Sequence, residues 1–192
     1  MVMNKQPFVL LAAIGLLAAI PRRQVQTDLA KSASETLTRF CTMDAAGNGL
    51  SADGWKRLGE MFNRPSASRP THAIISSRGF NVSNPRIEGD KAHFYVEYME
   101  VAQIDDLARF ETLPGPHHTR VLYTLVPTTG KDSAVLKEGE GRFEWKIDVP
   151  QIEPRITVET AKRYVTDLRD TTKDPVIKKN ADRTLASLER LQ

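Results

Sequence analysis

The spacing of apolar residues changes near residue 70, where a helical part gives way to a strand-forming part, and returns to the helical period after Thr157. Upstream, Leu29, Ala33, Leu37, Phe40 and Cys41 recur mostly at intervals of four and three, which lines them along one side of a helix over residues 27–43. Ser32 and Glu35 have the spacing of a capping box for the start of its regular part. The run Asp44-Ala45-Ala46-Gly47-Asn48-Gly49 interrupts this helix, and Ser51 stands where it would cap a second one. Trp55, Leu58, Met61 and Phe62 share the apolar side of that second helix, which Pro65 and Pro70 close.

Alternation then takes over, with strands predicted over residues 72–77, 79–82, 91–101, 119–126 and 141–149. In the third, Ala92, Phe94, Val96, Tyr98 and Glu100 fall on one face and His93, Tyr95, Glu97 and Met99 on the other. In the fifth, Phe143, Trp145, Ile147 and Val149 oppose Arg142, Glu144, Lys146 and Asp148, the pattern of an antiparallel strand covered on one side. Residues 105–116 and 128–139 read as long loops. Two helices end the chain. Thr157 caps the first, which carries Val158, Ala161, Tyr164, Val165 and Leu168, with Glu159 and Arg163 placed for an i,i+4 ion pair; Asp174-Pro175 opens the second, which carries Ala181, Leu185, Leu188 and Leu191. The fold class is therefore α+β, with a body over residues 24–154 and a helical extension over 155–192.

Residues 1–23 stand apart. Lys5 precedes an uncharged apolar run over residues 8–20, the charged and apolar regions of a signal peptide. As a helix that run reaches about 20 Å, short of a hydrocarbon core about 30 Å thick. Pro21-Arg22-Arg23 follows it directly, so cleavage after Ala19 competes with an uncleaved short anchor, and a buried N-terminal core helix is the third option. The first two imply export to a periplasmic or extracellular location, with membrane contact only through this segment.

The formal charge of +3 shrinks once this segment is set aside, because three of the 27 basic residues and none of the 24 acidic ones lie in it. A neutral domain with interspersed charges lacks the clustered basic surface that nucleic acid requires, and no nucleic-acid partner is expected. The single cysteine, Cys41, excludes an internal disulfide and, beside Leu37 and Phe40, reads as a small buried hydrophobe.

Candidate chemistry is sparse. Asp44, Asn48 and Gly49 match the first, fifth and sixth positions of a calcium loop, but Ala46 and Trp55 stand where an oxygen ligand and the bidentate Glu belong. A helix-helix connection with glycines at positive φ fits better. His117 and His118 are adjacent residues entering a strand and point to opposite faces, so no metal and no cofactor is expected. The polar groups mixed into apolar strand faces are Tyr98, Glu100 and Tyr123, with Arg109 on a nearby loop or short strand. They are the candidate ligand-binding residues; no catalytic residue is assigned.

The two amphipathic helices, then Phe80-x-Val82, Ile87-x-Gly89-Asp90-x-Ala92 entering a long strand, Tyr123-x-Leu125 and Trp145-Lys146-Ile147, resemble the nuclear transport factor 2-like superfamily, which includes the SnoaL-like polyketide cyclases. The resemblance covers about residues 27–149 and rests on packing motifs. It implies a cone of helices against a strongly curved, mostly antiparallel sheet, with a pocket between them, and the two C-terminal helices are an addition to that plan. Some members are acid-base cyclases, isomerases or dehydratases, and many are non-catalytic binding modules. The expected role is an exported, non-catalytic module holding a small apolar ligand or a protein partner. The alternative is an acid-base enzyme using Glu100 or Tyr98, with Arg109 stabilising negative charge, and a homodimer built on the open sheet face or the C-terminal helices is a further expectation.

Overall fold

The computed structural model describes residues 19–67, 73–128 and 144–191. Residues 1–18, with most of the apolar run, lie outside the described residues, as do His72, Phe143 and the predicted loop beyond Thr128. Helix α1 (Ala19–Ala45) crosses the boundary drawn at residue 23, so Ser32 is interior to it and not at its start. Instead of capping, Ser32 offers its backbone carbonyl to the Thr36 hydroxyl at 3.1 Å. Among the described residues no helix is long and apolar enough to cross a membrane.

Helix α2 (Ala52–Gly59) starts where expected, because the Ser51 hydroxyl accepts the Gly54 N–H at 3.1 Å. Of the two glycines before it, Gly47 takes a positive φ of 81°. Gly54 is required by a close approach: a Cβ there would lie 1.7 Å from the Asn48 carbonyl oxygen. Because that neighbour is backbone, Gly54→Ala forces the turn to open. Urea denaturation should show a loss of about 2–4 kcal/mol, the range of overpacking joined to a displaced cap.

The strands are β1 (Ala73–Val82), β2 (Arg86–Glu88), β3 (Lys91–Asp105), β4 (Phe110–Pro127), β5 (Trp145–Val149) and β6 (Arg155–Thr157). They form one mixed sheet in the order β5-β4-β3-β1-β6, with β2 paired to β3, and it curls into a half-barrel. All pairings are antiparallel except β1 with β6. The outer edge of β5 meets residues 61–63, where the Ile147 N–H donates to the Met61 carbonyl and the Asn63 N–H to the Ile147 carbonyl, each at 2.8 Å. Helices α3 (Val158–Thr171) and α4 (Pro175–Glu189) complete the fold. Their predicted caps hold: Thr157 accepts the Thr160 N–H, and Asp174 accepts those of Val176 and Ile177. Arg163 turns to the Thr160 hydroxyl at 3.2 Å where an ion pair with Glu159 was expected.

Three predicted details change, each through a bulge. Residues 73–77 and 79–82 are one strand, with a register shift between Ser77 and Phe80 against β3. The segment 110–116, expected as loop, belongs to β4. Thr112 pairs with Ala102 and His117 with Glu100, so residues 113–116 face Val101 alone, and Pro114 and Pro116 occupy a bulge where the ladder asks no N–H of them. Val149 is 51 % exposed, because the pairing slips between Thr124 and Leu125 and turns its side chain outward.

Alternation along β3 sends Ala92, Phe94, Val96, Tyr98, Glu100, Ala102 and Ile104 inward without a break. That one face carries two cores. The first packs Leu37, Phe40 and Cys41 of α1 and Trp55 and Leu58 of α2 against Phe94, Tyr123, Trp145 and Ile147. The second packs Ala161 and Val165 of α3 and Ala181 and Leu188 of α4 against Ile74, Ile104 and Ile156. Each fully buried Leu or Phe contributes about 1.5–3 kcal/mol to holding the helices on the sheet.

Candidate functional site

Three of the four sequence-predicted residues converge on the inner face of the sheet, the two tyrosines within the first core and Glu100 at its edge. Tyr98 on β3 and Tyr123 on β4 share a hydrogen bond of 3.1 Å between their hydroxyls, and the Cys41 thiol lies 3.5 Å from the Tyr98 hydroxyl. Glu100, one inward position beyond Tyr98, is 5 % exposed and has both oxygens engaged: Oε1 accepts Arg155 Nε at 2.8 Å and Oε2 accepts the Thr119 hydroxyl at 2.6 Å. Arg155 lies on β6 with its Cζ 4.9 Å from the centre of the Tyr98 ring, and its backbone N–H donates to Asp44 Oδ2 at 3.2 Å. Asp44, the first residue of the would-be calcium loop, is thus turned inward as a backbone acceptor.

Arg155 was not singled out from the sequence. It sits in a three-residue strand whose parallel pairing with β1 is distant in the chain, so neither periodicity nor spacing marks it. A buried carboxylate on an alternating strand does imply a buried cation somewhere, and Glu100 was that signal.

Burial raises the proton affinities here. The Cys41 thiol is pushed up to about 12, chiefly by loss of water, with its hydrogen bond to Tyr98 pulling the other way and the nearby Asp44 charge adding a lesser push. The Tyr98 phenol rises above its ordinary value, first through burial and then through Tyr123 and Cys41. The Tyr123 phenol rises as well, again chiefly through burial. All three groups hold their protons near neutral pH, and Glu100 is committed to Arg155 and Thr119. The cluster ties β3, β4 and β6 to the end of α1; it presents no free base to a substrate.

Arg109 is not part of it. It follows the β3–β4 turn at the far end of β3, with its Nε and Nη2 each 2.6 Å from Asp105 Oδ2. Burial favours the protonated Asp105 carboxyl, but the Arg109 and Leu107 N–H groups and the Arg109 guanidinium outweigh it and lower that carboxyl below its ordinary value.

Among the described residues, the opposite face of the sheet is open. Tyr95, Met99 and Leu122 are 43, 42 and 45 % exposed, and Tyr95 stands directly across from Leu122 in the β3–β4 pairing. Arg120 stacks over the Tyr95 ring at 3.9 Å, and His118 Nδ1 lies 3.4 Å from Glu97 Oε1 beside them. Clefts of about 570 Å³ beside Trp55 and Pro65, and of about 710 Å³ between α1 and the Asn84-Pro85 turn, open elsewhere on the surface. No protein-family model, curated protein or solved structure matches the chain.

Proposed function

We propose that this chain is a non-catalytic binding module, exported or held at a membrane by residues 1–23, which takes a protein partner on the outer face of its sheet. The observation that carries this is the contrast between the two faces. Inside, Phe40, Phe94, Tyr98 and Tyr123 are each 2 % exposed or less, so protein surrounds them and a small apolar ligand among them would have to displace the core. Outside, a tyrosine ring, a methionine and a stacked arginine, residue types enriched where proteins meet, share one face with an exposed leucine. The acid-base alternative needs a carboxylate free to exchange a proton, and both oxygens of Glu100 are occupied. Helices packed inside a curled sheet also agree with the nuclear transport factor 2-like resemblance, which remains part of this proposal.

A photo-crosslinking amino acid at position 122, compared with one at exposed Lys179 on α4, tests the surface in cells producing the full-length chain. The expected result is one discrete adduct from position 122 that is absent from position 179 and lost when Tyr95 and Met99 are changed to serine. Light scattering then shows whether the partner is a second copy. Equal labelling from both positions, or none from 122, contradicts the proposal.

A further inference from the structure

We infer that the junction between the β3–β4 turn and α4 is a binding site for a small oxyanion, a phosphate or a short dicarboxylate, held by Arg109 and Arg183. A pocket of about 250 Å³ opens there, lined by Arg109, Phe110, Asn180, Arg183, Thr184 and Ser187. Its only charged lining groups are the two arginines. The size suits a small anion, falling below the range of drug-sized ligand sites.

The turn is built with unusual care for a surface connection. Ala108 has a φ of 56°, a left-handed conformation that a residue with a Cβ adopts at a cost, and it is completely buried. Two side chains of α4 hold it in place: Asn180 Nδ2 donates to the Leu107 carbonyl at 3.1 Å, and the buried Thr184 hydroxyl donates to the Ala108 carbonyl at 2.6 Å. Asp105 fixes the other side, accepting the Leu107 and Arg109 N–H groups on Oδ1 and the Arg109 guanidinium on Oδ2. The strained turn therefore sets the position of the residue that follows it, Arg109, against a chosen stretch of α4.

Charge completes the case. Asp105 holds Arg109 from behind, lining with Glu111 a neighbouring cleft of about 270 Å³ and not this pocket. Arg109 Nη1 and the whole Arg183 guanidinium have no partner among the described residues. The unpaired Arg183 guanidinium offers its whole fork to carboxylate or phosphate oxygens, and Arg109, whose Nε and Nη2 are held by Asp105, adds its Nη1 from the same lining. The Ser187 hydroxyl is a further polar group in the lining, although it already donates to the Arg183 carbonyl at 3.0 Å.

Calorimetric titration of the full-length chain with sodium phosphate and, separately, sodium succinate at constant ionic strength tests the site. At least one anion should bind saturably at a single site; the tighter of the two identifies the ligand class. Arg183→Gln and Arg109→Gln should each weaken binding about tenfold, the effect of losing one charge-assisted contact. Arg57→Gln, an exposed arginine on α2, should leave it unchanged. Arg183→Gln removes no contact that holds the fold, and an unaltered circular dichroism spectrum verifies this. Absence of saturable binding by both anions overturns the inference, as does binding that survives Arg183→Gln or falls equally in Arg57→Gln. The outer sheet face is not involved, so these results leave the partner proposal to its own test.

Discussion

Replacing Arg155 with alanine should cost the full-length chain about 3–5 kcal/mol in urea denaturation, the usual penalty for stranding a buried charge. The Glu100 and Arg155 side chains are 7 and 9 % exposed, so water cannot take over from the lost guanidinium. Glu100 would keep only the Thr119 hydroxyl, and Arg155 would lose its bond to the Glu153 carbonyl and its place over the Tyr98 ring. Because desolvation offsets much of what a buried ion pair gains, the double change Glu100→Leu with Arg155→Leu should recover most or all of that stability. That recovery separates a structural clamp from a loss of general packing. A single-variant cost below about 1 kcal/mol, typical of exposed pairs, would mean the pair is wet.

The clamp also shows where the sequence runs out of information. Helix and strand faces were legible because each is a local repeat: Leu37 and Phe40 mark one side of α1, and Phe94, Val96 and Tyr98 mark the inner side of β3. Caps at Ser51, Thr157 and Asp174 were legible because their chemistry spans only two or three residues. Arg155 was not, since its meaning depends on Glu100 and Asp44, which approach it only after β6 pairs with β1. The 110–116 strand was hidden by Pro114 and Pro116, which signal a loop unless the partner strand is known to bulge. Of the candidate site, the Tyr98–Tyr123 contact follows from two inward positions on neighbouring strands. The separation of Arg109 from them reflects the full length of β3, which carries the chain past the first core to an exposed turn at the end of the second.

Alkaline pH should unfold the chain through three buried groups, Cys41, Tyr98 and Tyr123. The ordinary thiol ionises at 9.0 and the ordinary phenol at 10.0, whereas burial raises all three groups, Cys41 to about 12 and both tyrosines in the same direction. Raised values in acids favour the neutral, folded form, so this contribution is intact below pH 9. Above that the unfolded chain sheds protons that the folded chain keeps, and stability falls with rising pH. Each group so divided removes about 1.4 kcal/mol per pH unit, and the Cys41 share stops growing near pH 12, where the folded thiol ionises too. The three together remove on the order of 5 kcal/mol by pH 11, comparable to the entire stability of many domains of this size.

The central claim is that the inner face of the half-barrel is a dry, filled core whose polar groups are structural. Following phenolate absorbance and far-ultraviolet circular dichroism together during an alkaline titration measures this most directly. Two of the four tyrosines, Tyr98 and Tyr123, should release their protons only as secondary structure is lost, in one cooperative step. Ionisation of all four while the circular dichroism spectrum is still native would show that solvent reaches the interior, and the non-catalytic assignment would lose its basis.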